Sequence, residues 1–336
     1  MTLFNETLKA LPGMQVSQFK PPFYLRNPHL QTVLNSQGPR RLRAMRASCK
    51  LDTQKVTLAA DDGTRLLAEL DRANRSNAVL VVLLHGWEGS SRSSYMLTTA
   101  LQLHYCGVDV LRLNLRDHGD SHHLNRELFN STRSPEVASA LEHFVAQYGY
   151  DRVFIGGFSL GASFALRIAA DRGSEMNLRA AFGVCPPIDP SRAMAALNQG
   201  PRIYEQYFFT KWRNSLLRKL EFFPEYDYAD ELAKARTLND LNRIFIPRYT
   251  AYANIEDYFA AYALVGNRLA SLKMPAHLIA SEDDPIIPVA DIKRIDPIGH
   301  LHIETHRYGG HCGFIENLAA SSWIEGRIIK LVESYL

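Results

Sequence analysis

The chain has 336 residues, enough for one large hydrophobic core or for a core with an inserted subdomain. Hydrophobic residues make up 46%, charged residues 22%, and the formal net charge is +3, which argues against a dominant basic face and against nucleic acid as the main partner. No apolar run approaches the ~20 residues that span a bilayer, and Met1–Lys9 carries an early acid and no continuous apolar stretch, so neither a membrane span nor a secretory signal is expected. The four cysteines, Cys49, Cys106, Cys185 and Cys312, show no Cys-x-x-Cys spacing and read as reduced thiols of a cytoplasmic protein.

Residues 1–50 are rich in Pro, Arg and Gln and are punctuated by Pro12, Pro21, Pro22, Pro28 and Pro39, so an irregular N-terminal segment lying on the core like a lid is expected. Within it, the run from Arg40 to Arg46 reads as a solvated face, since apolar residues interrupt the cations. Lys55–Leu58 and Leu66–Leu70 flank Asp61-Asp62-Gly63, the pattern of a hairpin with an Asp-Gly turn. Ala78–Leu84 is continuously apolar, as a strand buried on both faces of a parallel sheet must be. A helical stretch, Tyr95–Tyr105, stops at Gly107 and is followed by the strand Val108–Leu113. Residues 135–148 form a helix opening on Pro135, and the strand Arg152–Ile155 leads through Gly157-Phe158-Ser159-Leu160-Gly161 into the helix Ala162–Ala170. Further strands follow at Ala180–Val184, Ala276–Ala280 and Leu301–Thr305, and a closing helix is expected over residues 314–335.

Strands alternating with helices predict a mostly parallel, doubly wound sheet of about eight strands. The alternation breaks between Pro186 and Pro275, where the periodicity is helical and aromatics crowd together. The expected organisation is therefore a core of residues 51–186 and 275–336 with a helical cap of residues 187–274, inserted after the sixth strand and above the ligand-binding edge of the sheet. Most of the cap aromatics must pack the insertion, and a few are expected to line an apolar pocket. Phe208, Trp212, Leu216 and Leu220 recur every four residues with cations between them. That pattern serves a helix lying on a membrane surface, giving weak membrane contact, or more commonly a cap helix facing the core.

A strand that becomes a helix through Gly-x-Ser-x-Gly is a nucleophile elbow, and it makes Ser159 the candidate nucleophile. A serine hydroxyl needs a histidine to take its proton and a carboxylate to orient that histidine. His311, in the flexible loop Gly309-Gly310-His311-Cys312-Gly313 after the last strand, is the base expected to reach the sheet top. Among Glu282, Asp283 and Asp284, the choice for the acid is Asp284, at the apex of the loop and before Pro285; Asp283 is the competitor and Asp189 a weaker candidate. The backbone N–H groups of Leu160 and Trp87 are expected to hold the oxyanion, and His85 to brace the loop that carries Trp87. The cluster Asp117-His118-Gly119-Asp120-Ser121-His122-His123 has zinc-ligand chemistry, but its place after the fourth strand favours a bracing loop at the site rim. No cofactor and no catalytic metal are expected.

These motifs together resemble the α/β-hydrolase superfamily, in the branch of YheT-like hydrolases, yeast medium-chain ethyl-ester synthase/esterases and related animal phospholipases. The most specific mark is Asn27-Pro28-His29-Leu30-Gln31-Thr32; His85–Ser90, the elbow, Asp283-Asp284-Pro285 and Gly309–Phe314 follow in the family's order. The resemblance implies the same nucleophile, acid and base at Ser159, Asp284 and His311. It departs after the fourth strand, where the family often has Asn-Phe-Arg-Gly-Cys-Ser-Gly and this chain reads Asn114-Leu115-Arg116-Asp117-His118-Gly119-Asp120-Ser121. The expected function is hydrolysis of a small acyl ester of short to medium chain length through an acyl-enzyme. Acyl transfer, thioester hydrolysis and phospholipid cleavage use the same groups, and a non-catalytic binding protein on the same scaffold is the alternative of another class.

Overall fold

Asp61-Asp62-Gly63 closes the hairpin between β1 (Thr53–Ala59) and β2 (Arg65–Asp71), with Asp62 Oδ1 accepting the N–H of Thr64 at 2.9 Å. This hairpin forms one antiparallel edge of an eight-stranded sheet, in the order β1-β2-β4-β3-β5-β6-β7-β8. From β4 (Asp109–Leu113) through β3 (Val79–Leu84), β5 (Arg152–Phe158), β6 (Leu178–Val184), β7 (Ala276–Ser281) and β8 (Leu301–His306) every pairing is parallel. All residues of β3, β4 and β7 are buried, as the unbroken apolar run at Val79–Leu84 requires. The computed structural model describes residues 18–73 and 78–336; Met1–Lys9 and Pro12 lie outside the described residues.

Helices cover both faces of the sheet. On one side α4 (Ser134–Tyr148) and α5 (Leu160–Arg172) contribute Val137, Leu141, Phe144, Phe164 and Leu166 to the core. On the other, α3 (Ser94–Tyr105) and α11 (Trp323–Ser334) contribute Met96, Leu103, Ile324, Ile328 and Leu331. Between β6 and β7 the chain forms α6 (Pro190–Gln199), α7 (Arg202–Phe222), α8 (Ala229–Lys234), α9 (Leu238–Tyr249) and α10 (Ile255–Ala261). Among the described residues no helix is long and apolar enough to cross a membrane.

Three sequence expectations are corrected. The segment expected to be irregular holds two helices, α1 (Pro28–Leu34) and α2 (Pro39–Ser48). Pro28 and Pro39 occupy first-turn positions, where the missing N–H costs nothing, and Asn27 caps α1 by accepting the N–H of Leu30 at 3.0 Å. Arg40 is not part of a solvated face: it is fully buried, pairs with Glu325 at 2.7 Å and donates to the carbonyl of Ala320 at 3.1 Å. The closing helix begins at Trp323 rather than at residue 314, because Phe314 and Ala320 take left-handed backbone, with φ of 46° and 56°, which an α-helix cannot contain.

Candidate active site

The turn from β5 into α5 sets Ser159 at φ 53°, outside the usual range for a residue with a side chain. The two flanking glycines make this possible. A Cβ at Gly157 would stand 2.3 Å from the carbonyl of Gly161, and one at Gly161 would stand 2.3 Å from the carbonyl oxygen of Leu84. Any side chain there would push the helix off the sheet. The N–H of Ser159 donates to the carbonyl of Val184 at 2.8 Å, which ties the turn to the end of β6.

Ser159, His311 and Asp284, far apart in sequence, form one hydrogen-bonded chain. The Ser159 hydroxyl donates to His311 Nε2 at 2.9 Å, and His311 Nδ1–H donates to Asp284 Oδ2 at 2.7 Å. Asp284 is itself fixed, since its Oδ1 accepts the N–H groups of Ile286 and Ile287 at 2.8 and 2.9 Å. Burial pulls the His311 pKa down, but the charge and hydrogen bond of Asp284 outweigh it, so the imidazole sits above its ordinary 6.5. Asp283 turns elsewhere: its Oδ1 accepts the N–H of Gly310 at 2.8 Å, and burial raises its carboxyl. Asp189 caps α6 through the N–H groups of Ser191 and Arg192 and pairs with Arg294, away from this chain of contacts.

Leu160 and Trp87 line the same cavity as Ser159. Leu160 is the first residue of α5, where a backbone N–H has no acceptor within its own helix. Trp87 sits on a loop held at several points. The Gly86 N–H donates to the Tyr95 hydroxyl at 3.0 Å, and His85 Nδ1–H donates to the Gly86 carbonyl at 2.8 Å. His85 Nε2 accepts from the Leu115 N–H at 3.1 Å, so the ring is neutral, in keeping with a pKa that burial and His118 push down to about 3. His85 therefore joins the loops after β3 and β4. Next to Trp87, burial pushes the Glu88 carboxyl up to about 8 against the opposing charge of Lys211.

Two spaces converge on Ser159. One is a smaller, mainly apolar cavity of about 130 Å³, with Phe208, Trp212, Phe245, Tyr258, Met194 and Leu197 in its wall. The other is an open groove of about 1110 Å³ that also reaches His311 and Cys312. The aromatics of the insertion thus divide: some face the cavity, whereas Phe209 and Tyr228 are buried in the packing of the insertion. Trp87 stacks on Phe208 at 5.2 Å and meets Trp212 at 5.4 Å, so the apolar stripe of α7 faces inward.

The cluster from Asp117 to His123 disperses its ligand atoms. Asp117 pairs with Lys219, His118 Nδ1–H donates to the Arg116 carbonyl, His122 Nε2–H donates to the Ser215 hydroxyl oxygen, whose own proton goes to the Asp117 carbonyl, and Asp120 pairs with Arg218. Asp117 and His118 do line both spaces at Ser159, so the departure from the family pattern falls on the wall of the site.

One set of supporting residues carried no assigned role in the sequence. Gln31 and Thr32 of α1 prop the loop that carries His311. The Thr32 hydroxyl accepts the His311 N–H at 2.9 Å while donating to the Pro28 carbonyl at 2.7 Å. Gln31 donates to the carbonyls of Leu25 and Ile315 and accepts the N–H of Ile315. A Cβ at Gly310 would stand 2.5 Å from the Pro28 carbonyl oxygen, so the two segments touch backbone to backbone. The signal was the run Asn27–Thr32 itself, the most specific mark of the family resemblance.

A mostly parallel sheet with helices on both faces, an elbow serine and a loop histidine on a carboxylate define the α/β-hydrolase class. The chain belongs to the Alpha/beta hydrolase family, whose model matches residues 81–320. It is 24% identical over 275 residues to the monoacylglycerol lipase of Saccharomyces cerevisiae, covering 76% of this chain and 59% of that protein. It is 23% identical over 299 residues to the medium-chain fatty acid ethyl ester synthase/esterase 2 of the same yeast, covering 80% of this chain and 64% of that protein. The chain thus spans about three fifths of the length of these two relatives. An esterase of Pyrococcus furiosus shares the fold, with a TM-score of 0.58 at 16% identity over 96% of this chain and 99% of that one.

Proposed function

We propose that the protein hydrolyses carboxylic esters of short- to medium-chain acyl groups through an acyl-enzyme. His311 takes the proton of Ser159 as its oxygen attacks the ester carbonyl, and Asp284 holds the imidazole in the tautomer that leaves Nε2 free to accept. The N–H groups of Leu160 and Trp87 hold the oxyanion of the tetrahedral intermediate. His311 then protonates the departing alcohol, and water repeats the sequence to release the acid.

The observation that carries this reading is the hydrogen-bonded chain from Ser159 to Asp284 at the meeting point of two unlike spaces. The apolar cavity suits an acyl chain, and the open groove suits the alcohol and the incoming water. Residues 187–274 act as a cap over a core of residues 51–186 and 275–336, and supply the aromatic wall. The names of the two yeast relatives, a lipase of monoacylglycerols and an ester synthase/esterase, support the same substrate class. The size of the groove also favours a second acceptor, an alcohol in place of water, which would make a new ester from the acyl-enzyme.

The test is a series of p-nitrophenyl esters from acetate to palmitate on the wild type and on Ser159→Ala. Turnover by the wild type, an optimum at short to medium chain length and a silent variant are expected. Full activity in Ser159→Ala, or a steady fall from acetate onward, would sink the mechanism or the acyl assignment respectively. Ethyl ester formed when ethanol is added would reveal the second acceptor.

A further inference from the structure

Beside Ser159 and His311 lie two thiols that the hydrolytic mechanism does not use. Cys185 directly follows Val184, whose carbonyl holds the Ser159 N–H, and Cys312 directly follows His311. Both are free and buried, and both take left-handed backbone, with φ of 49° and 59°. The two side chains come together beside the histidine. Cys185 Sγ, Cys312 Sγ and a ring nitrogen of His311 all lie within 4.8 Å of one another, and among the described residues they are the group of three with metal-ligand spacing. The thiols interact with each other, and their remaining contacts are long: Cys312 Sγ stands 3.5 Å from the Val184 carbonyl, and Cys185 Sγ 4.0 Å from the Gly310 carbonyl. Cys312 also lines the open groove, which gives an ion a path in from solvent.

We infer that Cys185, Cys312 and His311 form a site for a thiophilic divalent cation of the zinc and cadmium class, and that filling it switches the hydrolytic site off. Two thiolates and an imidazole are ligands that such ions favour over the hard ions calcium and magnesium. Around a tetrahedral zinc, donors at ordinary bond lengths stand roughly 3.5–3.8 Å apart, so small side-chain movements bring the three into register. Binding releases one proton from each thiol to solvent, and no electron is transferred. The imidazole cannot ligate the ion and serve catalysis together: ligation through Nε2 removes the acceptor for the Ser159 proton, and ligation through Nδ1 removes the bond to Asp284.

The experiment uses the full chain, kept reduced with a phosphine, and titrates cadmium while following the thiolate-to-metal charge-transfer band in the ultraviolet. Ester hydrolysis is followed in parallel with cadmium and with zinc. The band is expected to saturate at one equivalent in the wild type and in Ser159→Ala, and a chelator should reverse both band and inhibition. Cys185→Ser and Cys312→Ser should each weaken binding by at least about tenfold and relieve inhibition to the same degree. Substituting Cys49 and Cys106 together should change neither, and circular dichroism checks that each variant is folded. The inhibition arm rests on the ester-hydrolase reading, whereas the band does not, so an inactive protein that shows the band would sink only that reading. A wild type without the band at stoichiometric metal, or a band that survives in the Cys185→Ser/Cys312→Ser pair, would overturn the site.

Discussion

Asp283 and Asp284 are consecutive, yet each carboxylate meets a different neighbour. Asp284 accepts two backbone N–H groups on one oxygen and the His311 N–H on the other, while Asp283 accepts the Gly310 N–H and so holds the histidine loop from behind. In Asp284→Asn the charge that does most to lift the His311 pKa above 6.5 is gone and burial, the largest influence, prevails, so that pKa should fall. The base works only when neutral. In the wild type, kcat/KM should therefore rise with pH through a pKa above 6.5, and in Asp284→Asn the midpoint should move to lower pH while kcat drops roughly 1,000- to 10,000-fold. Glu88→Gln separates this limb from any change near pH 8, where the Glu88 carboxyl ionises. A pH–rate series on p-nitrophenyl esters decides the matter. If Asp283→Asn gave the large loss and Asp284→Asn did not, the acid would have been misassigned.

At the scale of the element, α1 acts as a buttress more than as a lid, because Gln31 and Thr32 face the histidine loop. Thr32→Val keeps the shape of the side chain but loses the acceptor for the His311 N–H. The expected outcome is a kcat lower by about ten- to a hundredfold with KM nearly unchanged, since a small misplacement of the base acts on the transition state. Thr32→Ser should restore the rate, and steady-state kinetics on the three proteins distinguishes positioning from a general loss of fold. The same element marks the limit of what the sequence makes legible. The elbow, the hairpin and the apolar strands were readable because their signals are local: a turn that needs glycine, an Asp-Gly pair, a run without polar residues. The two N-terminal helices were not, because prolines that read as breakers stand at helix starts, where they are tolerated. Ser159, His311 and Asp284 were named from chain order and loop position, and the structure brings them into contact. The approach of Cys185 to Cys312 had no such signal, since it depends on how β6 and the histidine loop lie side by side in three dimensions.

Across the whole molecule, one of the places where the insertion is tied to the core is where α7 and the turn after it meet the chain that follows β4. Lys219 reaches Asp117 at 2.7 Å and the carbonyl of Asn125 at 2.5 Å, Arg218 donates to the Gly119 carbonyl, and the Tyr226 hydroxyl donates to the Arg126 carbonyl. Lys219 and Asp117 are both buried, and burial lowers the lysine pKa and raises that of the aspartate. Both shifts favour the neutral forms, so the folded state carries two charges it holds at a cost and keeps by pairing them. For the aspartate, whose folded pKa is raised, stability is greatest with the proton on and falls as pH rises through that pKa; for the lysine, whose folded pKa is lowered, it falls as pH drops through that pKa. Removing one partner should be far worse than removing both. Lys219→Met is expected to cost about 3–5 kcal/mol, because it leaves the Asp117 carboxylate buried without its ion-pair partner. Asp117→Leu combined with Lys219→Met should cost clearly less than the sum of the two single changes, the remainder reflecting the unpaired N–H of Phe129 and the carbonyl of Asn125. Urea unfolding of the four proteins gives the coupling directly. Additive losses would mean that the two charges do not depend on each other, and that the apolar contacts of Trp87 with Phe208 and Trp212 hold the insertion in place without them.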